Sequence, residues 1–429
     1  MTRLPTPEPG RHAAESFVSS HLAHLVCDEV SGSSAFRGGQ DAADAALAAY
    51  DVTGYASKRN EVWPDSRRGA SQLSPYIRHG LLPLRSVWDH VAGGPSRDVR
   101  KFRDELLWQE FSRHWYARLG GRTRVGIRRE LDGATDPDDA DDVWDRSMAC
   151  LDLVVGELEE DGWLVNQTRM WMSSHWSVRE GWRWQSGDDW FFRHLLDGSR
   201  AANRLGWQWT TGVGSTKSYS FTRWQVNKRA PGLCDTCEHR HACPIEDWPD
   251  DPALRSGERV GAVRSDADVE TTAGPPNVVE RHPPESVWLT AESLGDLDPA
   301  LAAHPDLPAI FVFDEALLAG LHLSSKRLVF LTETLAELAT RREVELHLGD
   351  PIEILGGRAA AVTFAPVPGF RRRAGAIEPA SVHPWPWLTR PGGGSVSSFS
   401  AWRRAVAAVP THVAANTASN SSSDQPTLW

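Results

Sequence analysis

The stretch LLDGSRAANRLGWQW (195–209) decides the fold of this chain and most of its candidate site. It places the carboxylate of Asp197 on a predicted turn, the amide of Asn203 soon after it, and Trp207 at the start of a Trp-Gln-Trp. A glycine-rich loop with basic and aromatic residues follows, from Gly212 to Arg229. A carboxylate that can balance a fixed cation, an amide and nearby tryptophans are groups that a buried redox cofactor can use, so the stretch predicts a flavin among helices.

Other stretches accompany this one in the same half of the chain: GASQLSPYIRHG (69–80), DELLWQEF (104–111) and DGWLVNQTRM (161–170). Together, and in this order, they resemble the photolyase and cryptochrome flavoproteins over roughly residues 50 to 250. The resemblance implies a mainly α, helical FAD-binding domain.

The resemblance also implies which residues bind FAD. Ser71 and Ser74 bracket a predicted helix start near Pro75, where free N–H groups can hold a phosphate. Taken alone, an ordinary serine cap is the better explanation of these residues. In the family this stretch holds the flavin diphosphate, Arg169 and Asp197 form a buried pair beside the flavin, and Asn203 lies beside flavin N5. The implied cofactor contacts are Tyr55, Ser71, Leu73, Ser74, Arg169, Asp197 and Asn203.

A second implied set of residues faces the substrate or feeds electrons to the flavin. The amphipathic stretch 98–118 predicts a helix, which in photolyases carries a Glu and a Trp that contact the dimerised bases. The family's Arg beside that Trp is Gln109 here, and the His-His pair of the (6-4) photolyases is absent at 165–166. The implied catalytic residues are Glu105, Trp108, Asn166, Met170, Asn203, Trp207 and Trp184.

The implied function is that of a deoxyribodipyrimidine photolyase. Such a protein repairs damaged DNA in blue light, splitting cyclobutane pyrimidine dimers by electron transfer from photoexcited reduced FAD. The dimer must be flipped out of the duplex to reach the flavin. The alternative is a cryptochrome-like blue-light photosensor without repair activity, which Gln109 supports.

The cysteines predict a metal centre. Three of the five lie in LCDTCEHRHACP, as Cys234, Cys237 and Cys243, and such clustering indicates metal binding more than a disulfide in a cytosolic protein. We favour a [4Fe–4S] cluster over zinc, for which His239 or His241 would complete the ligands. The iron–sulfur bacterial cryptochromes and photolyases resemble this pattern, and they imply Cys150 as the fourth ligand.

The second half of the chain has a different periodicity. Short apolar runs at 287–290, 309–313, 344–349 and 359–367 alternate with a predicted helix at 324–342, which indicates a parallel α/β sheet. This half resembles the Rossmann-like antenna domain of photolyases, placed after the flavin domain as if circularly permuted. It is short for a chromophore-binding domain, which favours a structural role over an antenna pigment. The predicted divisions are an N-terminal segment (1–30), a helical FAD-binding domain with the cysteines (31–250), a linker (251–284), the antenna-like domain (285–410) and a disordered tail (411–429).

Composition limits the location and the partners. With 40% hydrophobic residues the chain can bury a core, and a net charge of −11 still allows a local DNA-binding surface. Neither a membrane span nor the apolar core of a signal peptide is expected, so the predicted location is cytoplasmic. Protein partners cannot be predicted. The expected DNA-binding loop interleaves basic residues with aromatic ones: Lys217, Arg223, Lys228 and Arg229 with Tyr219, Phe221 and Trp224.

Overall fold

The computed structural model describes residues 2–258, 260–406 and 408–409. The predicted tail (411–429) and residue 410 of the antenna-like domain lie outside this range. The helices are α1 Arg11–His21, α2 Gln40–Ala49, α3 Tyr55–Lys58, α4 Ser74–Arg78, α5 Leu84–His90, α6 Ser96–Leu119, α7 Ala149–Asp161, α8 Asn166–Ser174, α9 Trp184–His194, α10 Arg200–Thr210, α11 Arg223–Arg229, α12 Val269–Ala273, α13 Pro299–Ala303, α14 Glu315–Leu321, α15 Ser325–Ala339, α16 Pro351–Leu355, α17 Phe370–Ile377 and α18 Phe399–Ala405. The strands are β1 Thr2–Leu4, β2 Arg129–Leu131, β3 Leu254–Ser256, β4 Val279–Glu280, β5 Ser286–Leu289, β6 Ala309–Asp314, β7 Val344–Gly349, β8 Ala360–Thr363 and β9 Ser381–His383.

The helical part is built around α6, a helix of 24 residues. Helix α10 packs against α6, α8 and α9, so the stretch 195–209 lies in the middle of the helices. Helices α7 and α8 are separated at Gly162, whose φ of 66° is a left-handed conformation that glycine adopts without steric cost. None of the helices in the described ranges is both long enough and apolar enough to cross a membrane.

The other layer is a sheet with strand order β1-β7-β6-β5-β8-β9-β4. Strands β7, β6, β5, β8 and β9 run parallel, and β1 and β4 pair antiparallel at the two edges. Most residues of the central strands are buried, as expected for parallel strands covered on both faces. The architecture is therefore a helical part plus an α/β part, and the predicted central strands are confirmed.

The N-terminal segment and the linker have more structure than the sequence analysis expected. Strand β1 pairs with β7, with Thr2 opposite Leu348, and α1 packs against α15, so residues 2–30 are built into the α/β part. Within 251–284, β3 pairs with β2 and β4 pairs with β9. These edge strands have only two or three residues, which is too short for an alternating pattern to show in the sequence.

Helix α15 joins the two parts. Thirteen of its 15 residues are buried, far more than on a helix with one solvent face. Phe330 contacts the rings of Tyr76 and His79 of the helical part, with centroids 5.9 and 5.4 Å away. Apolar residues of both parts consequently form one continuous core.

Candidate functional site

The centre of the candidate site is the ion pair between Arg169 and Asp197. Arg169 Nη2 lies 3.0 and 2.8 Å from the two carboxylate oxygens of Asp197, and Arg169 Nε donates to the Leu164 carbonyl at 3.0 Å. The Asp197 side chain is only 4% exposed and that of Arg169 20%. Because most donors and acceptors of the pair are engaged, its orientation is fixed, and it presents a defined charge distribution next to α10.

A second arginine, from the α/β part, supports the Asp197 turn. Arg327 on α15 donates to the carbonyls of Phe192 and Leu195, and its guanidinium lies 4.6 Å from the centre of the Phe192 ring. Burial lowers the pKa of Arg327 to about 9. A Cβ at Gly198 would lie 2.1 Å from Arg327 Nη2, so this approach requires glycine in the turn. The sequence analysis missed Arg327, because nothing near residue 327 indicates contact with a turn about 130 positions earlier.

Asn203 lies at the first turn of α10, and its side chain is aimed into the protein. The residue is 7% exposed, and its Nδ2 is buried without a hydrogen-bond partner among the described residues. Buried amides normally have partners, because an unpaired one costs about 1–3 kcal/mol. A donor left open beside a fixed ion pair fits a bound ligand with an acceptor, as the predicted flavin would supply.

The residues predicted to hold the flavin diphosphate lie on α3 and at the start of α4. Tyr55 is buried with its ring edge-on to Phe102, at 4.9 Å and 82°, and burial together with Glu105 raises the pKa of its hydroxyl. Ser74 Oγ accepts a hydrogen bond from Trp163 Nε1 at 2.9 Å. Ser71 Oγ accepts from the Leu73 backbone N–H at 3.4 Å, and Leu73 is buried. Both hydroxyls retain a proton to donate.

The predicted substrate residues of α6 point to adjacent sides of that helix. Glu105 pairs with Lys101 Nζ at 2.7 Å and Arg59 Nε at 3.5 Å. Trp108, which is 37% exposed, stacks on Phe399 of α18, with ring centroids 4.0 Å apart and planes 10° apart. The sequence analysis did not foresee Phe399, which lies in a distant part of the chain.

The substrate residues of α8 lie at its N-terminal end, on the helix that carries Arg169. Asn166 is exposed and Met170 is partly buried. Since α10 packs against both α6 and α8, the structure brings the helices carrying the predicted substrate residues around the Asn203 helix.

The structure places Trp176, rather than Trp184, in ring contact with Trp207. The Trp207 and Trp176 rings meet edge-on with centroids 6.3 Å apart, and Trp176 in turn meets the partly exposed Trp182 at 5.2 Å. Trp184 is buried but makes no such ring contact within the described ranges. The family resemblance implied Trp184 as the middle tryptophan of the electron path and Trp207 as the one nearest the flavin. In the structure, the π-helical turn 175–179 at the end of α8 carries Trp176 instead to the Trp207 ring.

Trp176 also touches a second group of rings. Its centroid lies 5.8 Å from that of Trp144, which lies 5.3 Å from Trp190. Trp144 precedes α7, the helix that carries Cys150. Both residues lie in the same buried cluster as Trp176 and Trp207.

The four predicted metal-binding cysteines line one cavity, with Arg223 and His239 also on its wall. They are Cys150, Cys234, Cys237 and Cys243. Burial and then the neighbouring thiols raise the pKa of Cys150, as expected where sulfur atoms approach one another. No three cysteine, histidine or acidic side chains in the described ranges are close enough to hold a single ion.

The basic loop after α10 is partly neutralised. Arg223 pairs with Glu246 at 2.8 Å and Arg229 with Glu61 at 2.9 Å, and Phe221 is buried. The exposed members of the predicted DNA-binding set are Lys217, Lys228 and Trp224, with Lys228 Nζ 4.7 Å from the centre of the Trp224 ring.

The buried side chain of His175, which contacts the Trp144 ring, is expected to make the stability of the protein depend on pH. Burial, with a smaller effect from Arg179, lowers its pKa to about 4, whereas an unfolded histidine titrates near 6.5. The unfolded chain therefore binds a proton that the folded chain excludes, so this stability is complete above about pH 6.5 and is lost as the pH falls toward 4. Because of His175, the free energy of unfolding of the wild type should fall by on the order of 3 kcal/mol as the pH drops from 6.5 to 4. The His175→Asn variant should lack this fall.

Chemical denaturation at a series of pH values measures that slope. His24→Asn is the matched control, because the His24 side chain is 56% exposed. Equal slopes for the wild type and His175→Asn would contradict the assignment.

The helical part of the chain is similar to known proteins. Residues 102–231 match the model of the FAD-binding domain of DNA photolyase. The chain is 33% identical over 172 residues to the deoxyribodipyrimidine photo-lyase of Alkalihalophilus pseudofirmus, covering 38% of this chain and 35% of that one. For a deoxyribodipyrimidine photo-lyase of Thermus thermophilus, the identity is 31% over 188 residues, or 41% and 43% of the two chains.

A solved structure, the class III photolyase of Agrobacterium tumefaciens, is 26% identical with a TM-score of 0.35, covering 40% of this chain and 37% of that one. The matched part of the chain spans only about a third of the first curated relatives. Tyr55, Ser71 and Ser74 precede the residues that match the FAD-binding domain. Over residues 102–231 this chain is therefore similar to the FAD-binding domain of the DNA photolyases.

Proposed function

We propose that this chain is a deoxyribodipyrimidine photolyase, which binds FAD and splits cyclobutane pyrimidine dimers in DNA under blue light. The observation that carries the proposal is the buried Asn203 amide, whose nitrogen has no partner among the described residues. It lies at the start of α10, just after the turn that holds Asp197 against Arg169. A flavin edge would supply the acceptor that this amide lacks.

The chain's own residues hold and shield the flavin in this proposal. Bound and reduced, FAD supplies the photoexcited electron that splits the dimer. Asn203 Nδ2 would donate a hydrogen bond to the flavin, and the Arg169–Asp197 pair would supply a fixed cation and anion to the same site. Tyr55, Ser71, Leu73 and Ser74 line the diphosphate end, with the free protons of the two serine hydroxyls directed to phosphate oxygens.

On the substrate side, α6 and α8 receive the dimer after it leaves the duplex. Trp108 offers an aromatic face to the flipped bases, with Met170 packing beside it. The Glu105 carboxylate is held by Lys101 and Arg59, and it accepts or shares a proton with the polar edge of the dimer. Asn166 is exposed and free to donate from its amide.

The DNA backbone is expected to run across the loop after α10. Lys217 and Lys228 are exposed and neutralise phosphates, and the exposed Trp224 can stack on a base. Arg223 and Arg229 contribute less than the sequence analysis expected, because carboxylates already balance them.

We infer that the cysteine cavity holds a [4Fe–4S] cluster. Four thiols around one cavity match the ligand set of such a cluster. A single zinc ion requires sulfur and nitrogen ligands about 2–2.3 Å from one point, a much tighter arrangement.

The α/β part acts as a structural support in this proposal. It corresponds to the antenna domain of photolyases in a permuted chain order, and an antenna pigment is not required. Its contribution to the flavin site is Arg327, which fixes the carbonyls of the Asp197 turn.

Repair of a thymine-dimer oligonucleotide by photoreduced protein tests the proposed function. We expect dimer loss in blue light and none in the dark, with a repair rate about tenfold or more lower in Glu105→Gln, because one hydrogen bond to a charged group is lost. Glu8→Gln, on an exposed position of the N-terminal segment, is the control. A flavin-bound protein that leaves the dimer intact in the light would support the photosensor, which the covered face of Trp108 and the presence of Gln109 favour.

Photoreduction of the flavin tests the tryptophan path. Trp176→Phe should slow photoreduction by about tenfold or more, because it removes the ring that contacts Trp207, Trp182 and Trp144. Trp184→Phe should have a much smaller effect. The measurement is the flavin absorbance under constant blue light with an external electron donor, and the reverse order of the two variants would restore Trp184 as the intermediate.

A further inference from the structure

Helix α18 lies over the face of α6 on which the proposed function places the flipped dimer. Phe399 stacks on Trp108 at 4.0 Å with nearly parallel planes, which is the arrangement that a stacked pyrimidine would take. The side chain therefore occupies the stacking position on one face of Trp108.

Helix α18 packs on α6 through Phe399 and Trp402, whose rings both contact Phe111. Trp402 is its one buried residue, and it donates from Nε1 to His114 Nδ1 at 2.9 Å. Arg403, Arg404 and Ala405 are exposed. An open groove runs beside the helix, between Trp88, Leu107 and Arg403.

The chain before α18 is fixed up to Ser397, whose carbonyl accepts from Arg128 Nη2 at 3.4 Å and whose N–H donates to Ser395 Oγ at 3.2 Å. The Val396 N–H donates to the Val263 carbonyl at 2.8 Å, and Arg118 binds the carbonyls of Gly392 and Gly394. After this point, Ser398 caps the helix by accepting from Ala401 N–H at 3.2 Å. Phe399 lies at the first turn of this helix and is only partly buried, so a change of its side-chain rotamer can free Trp108 while Trp402 stays in place.

We propose that the Phe399 side chain of α18 is a displaceable cover, and that it determines which bases gain access to Trp108. This inference rests on the proposed repair function. A base can stack on Trp108 only after Phe399 leaves it, so the cover excludes bases that remain stacked in the duplex. A pyrimidine dimer, which is already weakly stacked and paired, competes with Phe399 more easily.

Equilibrium binding in the dark tests the cover, using the full chain with a thymine-dimer oligonucleotide and the same sequence undamaged. Phe399→Ala should bind the dimer about two- to tenfold more tightly, the effect of one aromatic pair. Phe399→Leu, which keeps an apolar contact but not a flat ring, should give a smaller gain. Affinity for undamaged DNA should stay unchanged, because contacts to phosphates do not involve Trp108.

Ser400→Ala, an exposed change on the same helix, is the matched control. In a Trp108→Ala background, Phe399→Ala should give no gain. Unchanged or weaker dimer binding by Phe399→Ala, in a protein whose wild type binds the dimer, overturns the cover and leaves the repair proposal standing. Failure of the wild type and of every Phe399 variant to prefer the dimer overturns the repair proposal, and the cover falls with it.

Discussion

Replacing Asp197 with asparagine is expected to strip the chain of its flavin and to destabilise the fold. The change leaves the Arg169 guanidinium, only 20% exposed, without the carboxylate that now accepts two hydrogen bonds from it. Removing one partner of a buried ion pair costs about 3–5 kcal/mol of folding stability. Because the pair belongs to the proposed flavin site, the variant should also retain much less flavin than the wild type.

The flavin released from equal amounts of purified wild type and variant measures this effect. Asp152→Asn is the matched control, because the Asp152 carboxylate pairs with Arg146 on the surface and is 53% exposed. Exposed pairs contribute about 0–1 kcal/mol, so the control should retain its flavin. An Asp197→Asn protein with a full complement of flavin would contradict the role assigned to the pair.

Replacing Cys150 with alanine is expected to abolish the metal content. Cys150 is a buried residue of α7 that lines the cysteine cavity. The other three thiols belong to a separate stretch of the chain. Without it, a cluster loses one of its four thiolate ligands, so the iron content of anaerobically purified protein should fall from about four atoms per chain to near zero.

Cys27→Ala is the internal control, since Cys27 is a free cysteine that does not line the cavity. It should retain the full metal content. Elemental analysis separates the outcomes, because about one zinc per chain would replace the cluster proposal with a zinc site. Undiminished iron in Cys150→Ala would contradict the ligand set.

The parts of the fold with strong local patterns could be predicted from the sequence. The stretch 195–209 forms α10 and the turn before it, Gly162 separates α7 from α8, and the apolar runs at 309–313 and 344–349 lie in parallel strands β6 and β7. In these stretches the apolar pattern extends over several residues, so its period distinguishes a helix from a strand.

The features that escaped prediction depend on contacts between distant residues. Strand β1 has three residues and gains its structure only by pairing with β7 at the sheet edge. Arg327 reaches the Asp197 turn because α15 is buried between the two parts of the chain. Neither feature has a neighbour in sequence that would reveal its partner.

The candidate site was predicted unevenly for the same reason. The Arg169–Asp197 pair and the meeting of the four cysteines followed from the family resemblance, and the structure contains both. The resemblance also implied that Trp184 follows Trp207 in the electron path. The ring that contacts Trp207 in the structure is that of Trp176, and the sequence does not determine which tryptophan rings touch. The cover on Trp108 could not be foreseen, since Phe399 lies on a short helix near the end of the chain.

The most direct test of the central claim is a crystal structure of the full chain prepared with FAD. The account predicts the flavin ring within hydrogen-bonding distance of Asn203 Nδ2, with the Arg169–Asp197 pair beside it and the diphosphate near Ser71 and Ser74. Flavin bound elsewhere, or an Asn203 amide that pairs with protein atoms while the site holds no flavin, would contradict it.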